Sequence, residues 1–265
     1  MQKKCFRLQE KNRKDEVMMK RIGNSSKSFY PGILKEYIID SIFKSRYKSK
    51  VIYDDLDNLS MYIKGFCINS FNINMVFKEI FRHYENISFD VTEIKRMFHN
   101  KYAKEYLIKV NTVYKGAKWI IPIKLIGVAD NFPVGIKDSV YLSRFKLEKD
   151  IMLVTQEEKL AYTFYKIMKG IMFNNNLLLE LYKINGNLKD KKKVSKAIEN
   201  LYNSNKDSLV IKNIKDRIEQ IRRNINYRSN WKYFTYRENI KIKYDDVMCV
   251  LDMIYVLLKG GVINE

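Results

Sequence analysis

Apolar and polar positions follow two different rhythms along this 265-residue chain, and the rhythm changes near residue 150. After Ser28, the run FYPGILKEYIIDSIF places Ile33, Tyr37, Ile38 and Ile42 at helical spacing, and SRYKSK closes that helix. VIY (51–53) and LSMYIKGF (59–66) read as strands around an acidic turn. FNINMVFKEIFRHY then returns to the helical period through Phe71, Met75, Val76 and Ile80. YLIKVNTVYKGAKWIIPIKLIGV alternates on both sides of YKGAK, which predicts a hairpin with Gly116 in its turn. Sheet content is expected to end near Val154.

From Thr155 the pattern is helical almost to the end. Thr155 and Glu158 have capping-box spacing ahead of TQEEKLAYTFYKIMKG, whose apolar stripe is Leu160, Phe164 and Ile167 and whose stop is Gly170. Helices are predicted around 193–203 and 208–224, then along YDDVMCVLDMIYVLLKGG. There Asp245 or Asp246 can cap, Val247, Val250, Leu251, Ile254 and Leu258 face inward, and Gly260 ends the helix. The change of period predicts an α/β domain over 1–150 and a helical bundle over 151–265. There is no internal repeat and no Pro- or Ser-rich linker.

Composition narrows the chemistry. Three cysteines (Cys5, Cys67, Cys249) without a CxxC pair indicate neither a disulfide framework nor a zinc site, and read as buried apolar fillers. Two histidines, His83 and His99, leave little material for a histidine-based metal centre or triad, and read as surface residues. No apolar run is long enough to span a bilayer, and MQKKCFRLQEKNRKDE has no signal-peptide apolar region, so a cytoplasmic setting without membrane association is expected. The formal charge of +20 favours polyanionic partners through counterion release. An AT-rich codon bias is the competing explanation. Residues 1–22 carry eight Lys/Arg against three Asp/Glu and read as a polar, helical arm.

Against this basic background, Asp54, Asp55 and Asp57 form the densest acidic cluster. Carboxylates at i and i+2 on an extended segment share one side, as phosphoryl-transfer enzymes arrange them for Mg²⁺. The competing reading, and the favoured one on the residues alone, is an acidic connecting turn. Residues 187–243 hold 16 Lys/Arg against 6 Asp/Glu, with Tyr227, Trp231, Tyr233, Phe234 and Tyr236 interleaved. Arg217, Arg222, Arg223, Arg228 and Lys232 there could form a nucleic-acid surface with aromatics available for base stacking. The alternative is a solvated helix face whose aromatics pack in the core.

Several stretches together resemble the AbiEii-type nucleotidyltransferases, toxin components of abortive-infection toxin–antitoxin pairs in phage defence. SFYPGILKEYIIDSIFKSRYKSKVI resembles the family's opening helix and first core strand, LSMYIKGF its second-aspartate strand, and IPIKLIGVADNF its third-aspartate strand and following turn. TQEEKLAYTF resembles its alanine-glutamate-lysine helix, and FNNNLLLELYKI its arginine- and aspartate-bearing helix. The likeness covers about residues 20–258. It implies a nucleotidyltransferase-like mixed sheet with flanking helices followed by a C-terminal helical bundle. It also implies metal-dependent transfer of a nucleotide from an NTP to RNA (tRNA) or protein, with Mg²⁺ or Mn²⁺ as cofactor and an antitoxin as partner.

The motifs that would perform this transfer are worn. No glycine stands between Gly32 and Gly65, and GNSS (23–26) lies ahead of the helix, where it reads as a capping turn. Anchored on YIKGF, the family's paired aspartates fall on Asn58 and Ser60, and the third near Leu125. With a slip, Asp55 and Asp57 become the catalytic pair, joined by Asp130 as metal ligands, with Lys159 on the triphosphate and Glu180 in a structural, interdomain role. A catalytically inactive nucleotide-, RNA- or protein-binding relative is the alternative outcome. A third reading is an interaction protein whose charge serves only solubility.

Overall fold

The structure, a computed structural model, describes residues 29–65, 70–81, 87–99, 104–114, 116–170 and 174–260. The basic arm, the GNSS turn, Cys5, Cys67 and His83 lie outside the described residues.

Helix α1 (Phe29–Lys44) buries Leu34, Ile38, Ile39 and Ile42 on one face; of the predicted stripe Ile38 and Ile42 are buried, while Ile33 and Tyr37 are half-buried at its edge. A 3₁₀ turn (Lys48–Lys50) leads into strand β1 (Val51–Asp55), which turns back into β2 (Ser60–Lys64). Helix α2 (Ser70–Ile80) buries Ile73, Val76, Phe77 and Ile80, whereas Met75 is 56% exposed, on the outer side of the helix. Strands β3 (Ile87–His99), β4 (Lys104–Tyr114) and β5 (Ala117–Val128) form an antiparallel meander, with Gly116 in the left-handed region in the β4–β5 turn. Strands β6 (Ile136–Leu142) and β7 (Leu147–Leu153) form a second hairpin.

These strands make one seven-stranded sheet in the order β3-β4-β5-β2-β1-β7-β6. The β2–β5 and β1–β7 pairs are parallel and the rest antiparallel, so the sheet is mixed and the fold is α/β. β3 was not visible as a strand in the apolar pattern. As an edge strand it buries only Ile87 among its residues with described side chains, and its register shifts at Val91/Glu93 and Arg96/Phe98 interrupt any alternation.

Strand alternation gives each face its own core. Val51, Tyr53, Met61, Ile63, Tyr106, Ile108, Ile123 and Leu125 pack beneath α1 and α2. Ile52, Tyr62, Ile126 and Val128 point the other way, into the core built by the C-terminal helices. Those helices are α3 (Gln156–Met168), α4 (Asn175–Gly186), α5 (Lys192–Ser204), α6 (Ile211–Arg223), α7 (Ile225–Arg237) and α8 (Tyr244–Leu258). α3 is buried from Leu160 to Ile167, because the sheet covers one side and α4 and α5 cover the others. α8 closes the bundle against α4, α5 and α6.

The predicted capping box is present. Thr155 Oγ1 accepts from the Glu158 amide at 3.1 Å, and Glu158 accepts from the Thr155 amide at 3.1 Å. At α8 the cap works through Asp246, which accepts from the Lys243 amide at 2.9 Å. The change of period near 150 falls inside β7, whose last residue is Leu153. Among the described residues, no helix is long and apolar enough to cross a membrane.

Candidate functional site

The acidic stretch lies where β1 ends, and the ladder decides which of its carboxylates face which core. Ile52 points to α3, so Asp54, two residues on, does too. Its Oδ2 accepts from Ser60 Oγ at 2.8 Å, and its Oδ1 lies 3.1 Å from Lys159 Nζ on the first turns of α3. The same ammonium donates to the Asp54 carbonyl at 2.5 Å. With Asp54 and Lys159 only 18% and 20% exposed, this is a semi-buried joint between sheet and bundle. Lys159, read from the sequence as a triphosphate ligand, is therefore engaged with Asp54.

Asp55 takes a different role. A register shift between Tyr53 and Asp55 leaves Asp54 without a ladder partner while Asp55 pairs with Ser60, and the Asp55 carboxylate accepts from the Asn58 amide at 3.1 Å and from Asn58 Nδ2 at 2.7 Å. Partial burial raises the Asp55 pKa, but these bonds and the nearby Lys159 charge outweigh it and hold the carboxyl below its usual range. Asp57 lies in the turn, and its carbonyl accepts from Lys35 Nζ on α1. Asp130 lies at the other end of β2, against Gly65, whose positive φ of 63° turns the chain as it leaves that strand. Because β1 and β2 are antiparallel, the Asp55–Asp57 turn precedes β2 while Asp130 lies beside its end. Five strand residues separate them, about 16 Å at strand rise. Asp55, Asp57 and Asp130 therefore do not form one ligand set. Among the described residues, no three His, Cys, Asp or Glu side chains group closely enough to hold a metal.

Further along the same sheet face lies a charged pair that sequence reading missed. Glu105 on β4 and Lys166 on α3 meet at 3.1 Å with side chains 8% and 4% exposed, and Lys124 on β5 lies 3.9 Å from the same carboxylate. Tyr162 and Tyr62 pack edge to face between the two ion pairs, with ring centroids 5.5 Å apart and planes at 78°. Burial, reinforced by Glu105, pushes the Tyr162 hydroxyl well above its usual pKa. Burial raises the Glu105 pKa, but Lys166 and then Lys124 overcome it, and the carboxyl titrates below its ordinary value. Lys159, Tyr162, Thr163 and Lys166 follow i, i+3, i+4, i+7 spacing, the one sequence signal that could have linked the two lysines to a single face.

Glu180 on α4 accepts from Thr163 on α3 at 3.2 Å, so its contact joins two helices of the bundle. Glu158 accepts from the amides of Val134 at 2.6 Å and Gly135 at 3.1 Å, fixing the β5–β6 connection to the start of α3.

Of the five cations assigned to a nucleic-acid surface, Arg222 makes a two-oxygen contact with Asp252 at 2.5 Å, tying α6 to α8. Arg223 lies 3.7 Å from Glu219, and Arg228 pairs with Asp245 at 3.0 Å. Arg217 is half-buried near Gly170, and Lys232 is exposed on α7. The interleaved aromatics divide. Trp231 and Phe234 are core residues at 2% and 8% exposure, while Tyr233 and Tyr236 are 68% and 86% exposed. Cys249 is exposed and unpaired, in contrast to the expectation of a buried filler, because it falls on the outer face of α8.

No family model and no curated protein matches the chain. Among solved structures it is similar to a candidate nucleotidyltransferase from H. pylori, with a TM-score of 0.37 and 9% identity over 86% of this chain and 91% of that one. It is also similar to JHP933 from Helicobacter pylori, with a TM-score of 0.36 and 9% identity over 86% of this chain and 88% of that one.

Proposed function

We propose that this chain is a nucleic-acid-binding member of the nucleotidyltransferase-like proteins that does not carry out metal-dependent transfer. The observation that carries this reading is the Lys159–Asp54 pair. The ammonium lies 3.1 Å from the carboxylate facing the bundle and neutralises it. A hard cation such as Mg²⁺ prefers several anionic oxygens. Here one is neutralised by lysine and another is held by Asn58, so the residues do not fit Mg²⁺ or Mn²⁺. The charge of +20 supports a polyanionic partner, with RNA as the favoured class.

One observation favours a second reading, an active enzyme acting as the toxin of a phage-defence pair with an antitoxin partner. Asp55 is held in its ionised form beside Asp57 in a solvent-facing turn, so an NTP could bring its own metal there.

The test is Mg²⁺- or Mn²⁺-dependent transfer of label from each α-³²P NTP to RNA and to lysate protein, with RNA binding measured in parallel. No transfer with any NTP, alongside salt-sensitive RNA binding, is the expected result. Transfer that disappears in an Asp55→Ala/Asp57→Ala double variant would overturn it and establish the active enzyme.

A further inference from the structure

Helix α7 does not have the composition of an ordinary surface helix. Its sequence INYRSNWKYFTYR contains three cations and no carboxylate. One stripe, Asn226-Asn230-Tyr233-Arg237, and its neighbour, Ile225-Ser229-Lys232-Tyr236, are both exposed along their whole length. An exposed tyrosine is ordinary by itself. Two of them at 68% and 86% exposure, three residues apart on an acid-free helix, form an aromatic and basic surface.

Beside the first stripe, between α7 and the start of α4, lies a cavity of about 320 Å³ lined by Asn175, Tyr227, Asn230, Tyr233, Phe234 and Arg237. That is near the lower end of the roughly 300–1,000 Å³ typical of small-ligand sites. Asn175 Nδ2 donates to the Asn230 carbonyl at 3.0 Å, which fixes one amide at the cavity wall and leaves its oxygen available. The exposed Asn230 side chain supplies a second amide.

We propose that this cavity receives one unstacked base of a single-stranded polynucleotide. Tyr233 is the stacking platform, the amides of Asn175 and Asn230 face the base edge, and Arg237 and Lys232 meet the flanking phosphates. An amide presents a donor and an acceptor together, the pattern that pairs with a nucleobase edge. Aromatic stacking tolerates any base, and nearby cations hold the backbone. Arg237 is paired with Glu238 at 2.7 Å, but both are well exposed, so exchange of that partner for phosphate costs little. A protein partner fits less well, because amides and an arginine make up about half of this wall and the helix carries none of the acids a basic partner would require. The inference rests on the reading that the chain binds nucleic acid and names where a base would sit.

The test uses the full chain and a fluorescein-labelled single-stranded RNA of mixed sequence, with anisotropy measured between about 50 and 200 mM salt, and a duplex of the same sequence as comparison. The wild type is expected to prefer the single strand. Tyr233→Ala is expected to weaken single-strand binding by about 5- to 100-fold, and Tyr233→Phe to retain it. Lys232→Ala is expected to weaken both forms and reduce the salt slope by about one. Wild-type binding that is unchanged in Tyr233→Ala and Asn230→Ala, or that is equal for single strand and duplex, would overturn the base site while leaving nucleic-acid binding in place. No binding to either form at 50 mM salt would overturn both.

Discussion

Replacing Lys166 with methionine isolates the buried pair that holds α3 on the sheet. Lys166 and Glu105 are 3.1 Å apart, with side chains 4% and 8% exposed, and Lys124 lies 3.9 Å from the same carboxylate. Methionine fills most of the lysine's volume without its charge, so the perturbation is mainly an uncompensated carboxylate. Breaking a buried pair in this way costs about 3–5 kcal/mol. Lys124, 37% exposed and already close, offsets part of the loss, which places the expected value near the lower limit, about 3 kcal/mol. The double variant Glu105→Leu/Lys166→Met removes both charges and should return to within about 1 kcal/mol of wild type. Glu105→Leu alone strands the equally buried Lys166, so the double-variant loss should fall well short of the sum of the two single losses. Urea denaturation followed by far-UV circular dichroism measures all four corners of the cycle. A Lys166→Met loss below about 1 kcal/mol, or a double variant whose loss equals the sum of the single losses, would refute the reasoning.

The same carboxylate sets an acid limit. The Glu105 pKa is lower folded than unfolded, so its contribution is fully present above the unfolded value of about 4.3 and is lost as pH falls through the folded value. Stability of wild type should therefore drop more steeply than that of Glu105→Leu/Lys166→Met in urea titrations below about pH 4.5; parallel curves would contradict this. Glu158→Ala should cost about 2–4 kcal/mol, because it removes the reciprocal half of the capping box and the acceptor for the Val134 and Gly135 amides. Faster proteolysis between residues 129 and 135 is the direct readout, and an unchanged cleavage rate counts against the anchoring role. Trp119 packs with the core beneath α1 and α2, while Trp231 lies in the helical core. Since the sheet contributes to both cores, single-tryptophan variants should report coincident unfolding transitions; two separated transitions would instead indicate independent domains divided near residue 150.

The elements that bury one strong apolar stripe were legible in the sequence: α1, the β4–β5 hairpin, α3 with its capping box, and α8. Helical and strand periods are local properties, and a buried stripe enforces them. Edge strand β3 left a weaker trace, because little of it is covered. The aromatics of α7 show the limit most clearly. Trp231, Tyr233, Phe234 and Tyr236 look alike in sequence, yet two are core and two face solvent, since only the docking of α7 on α4 and α8 decides which side is covered.

Charge was the least legible property. The sequence by itself determined that the chain is basic, that its densest acidic cluster is DDLD, and that an α/β region precedes helices. Tertiary structure decided which charge meets which. Strand direction carries Asp130 to one end of β2 and Asp55 and Asp57 to the other, while parallel pairing of β1 with β7 delivers α3, and with it Lys159, to Asp54. Glu105 and Lys166 lie 61 positions apart, and no local pattern links them. An ion pair depends on separation in space, and across a sheet that separation is set by strand order and register.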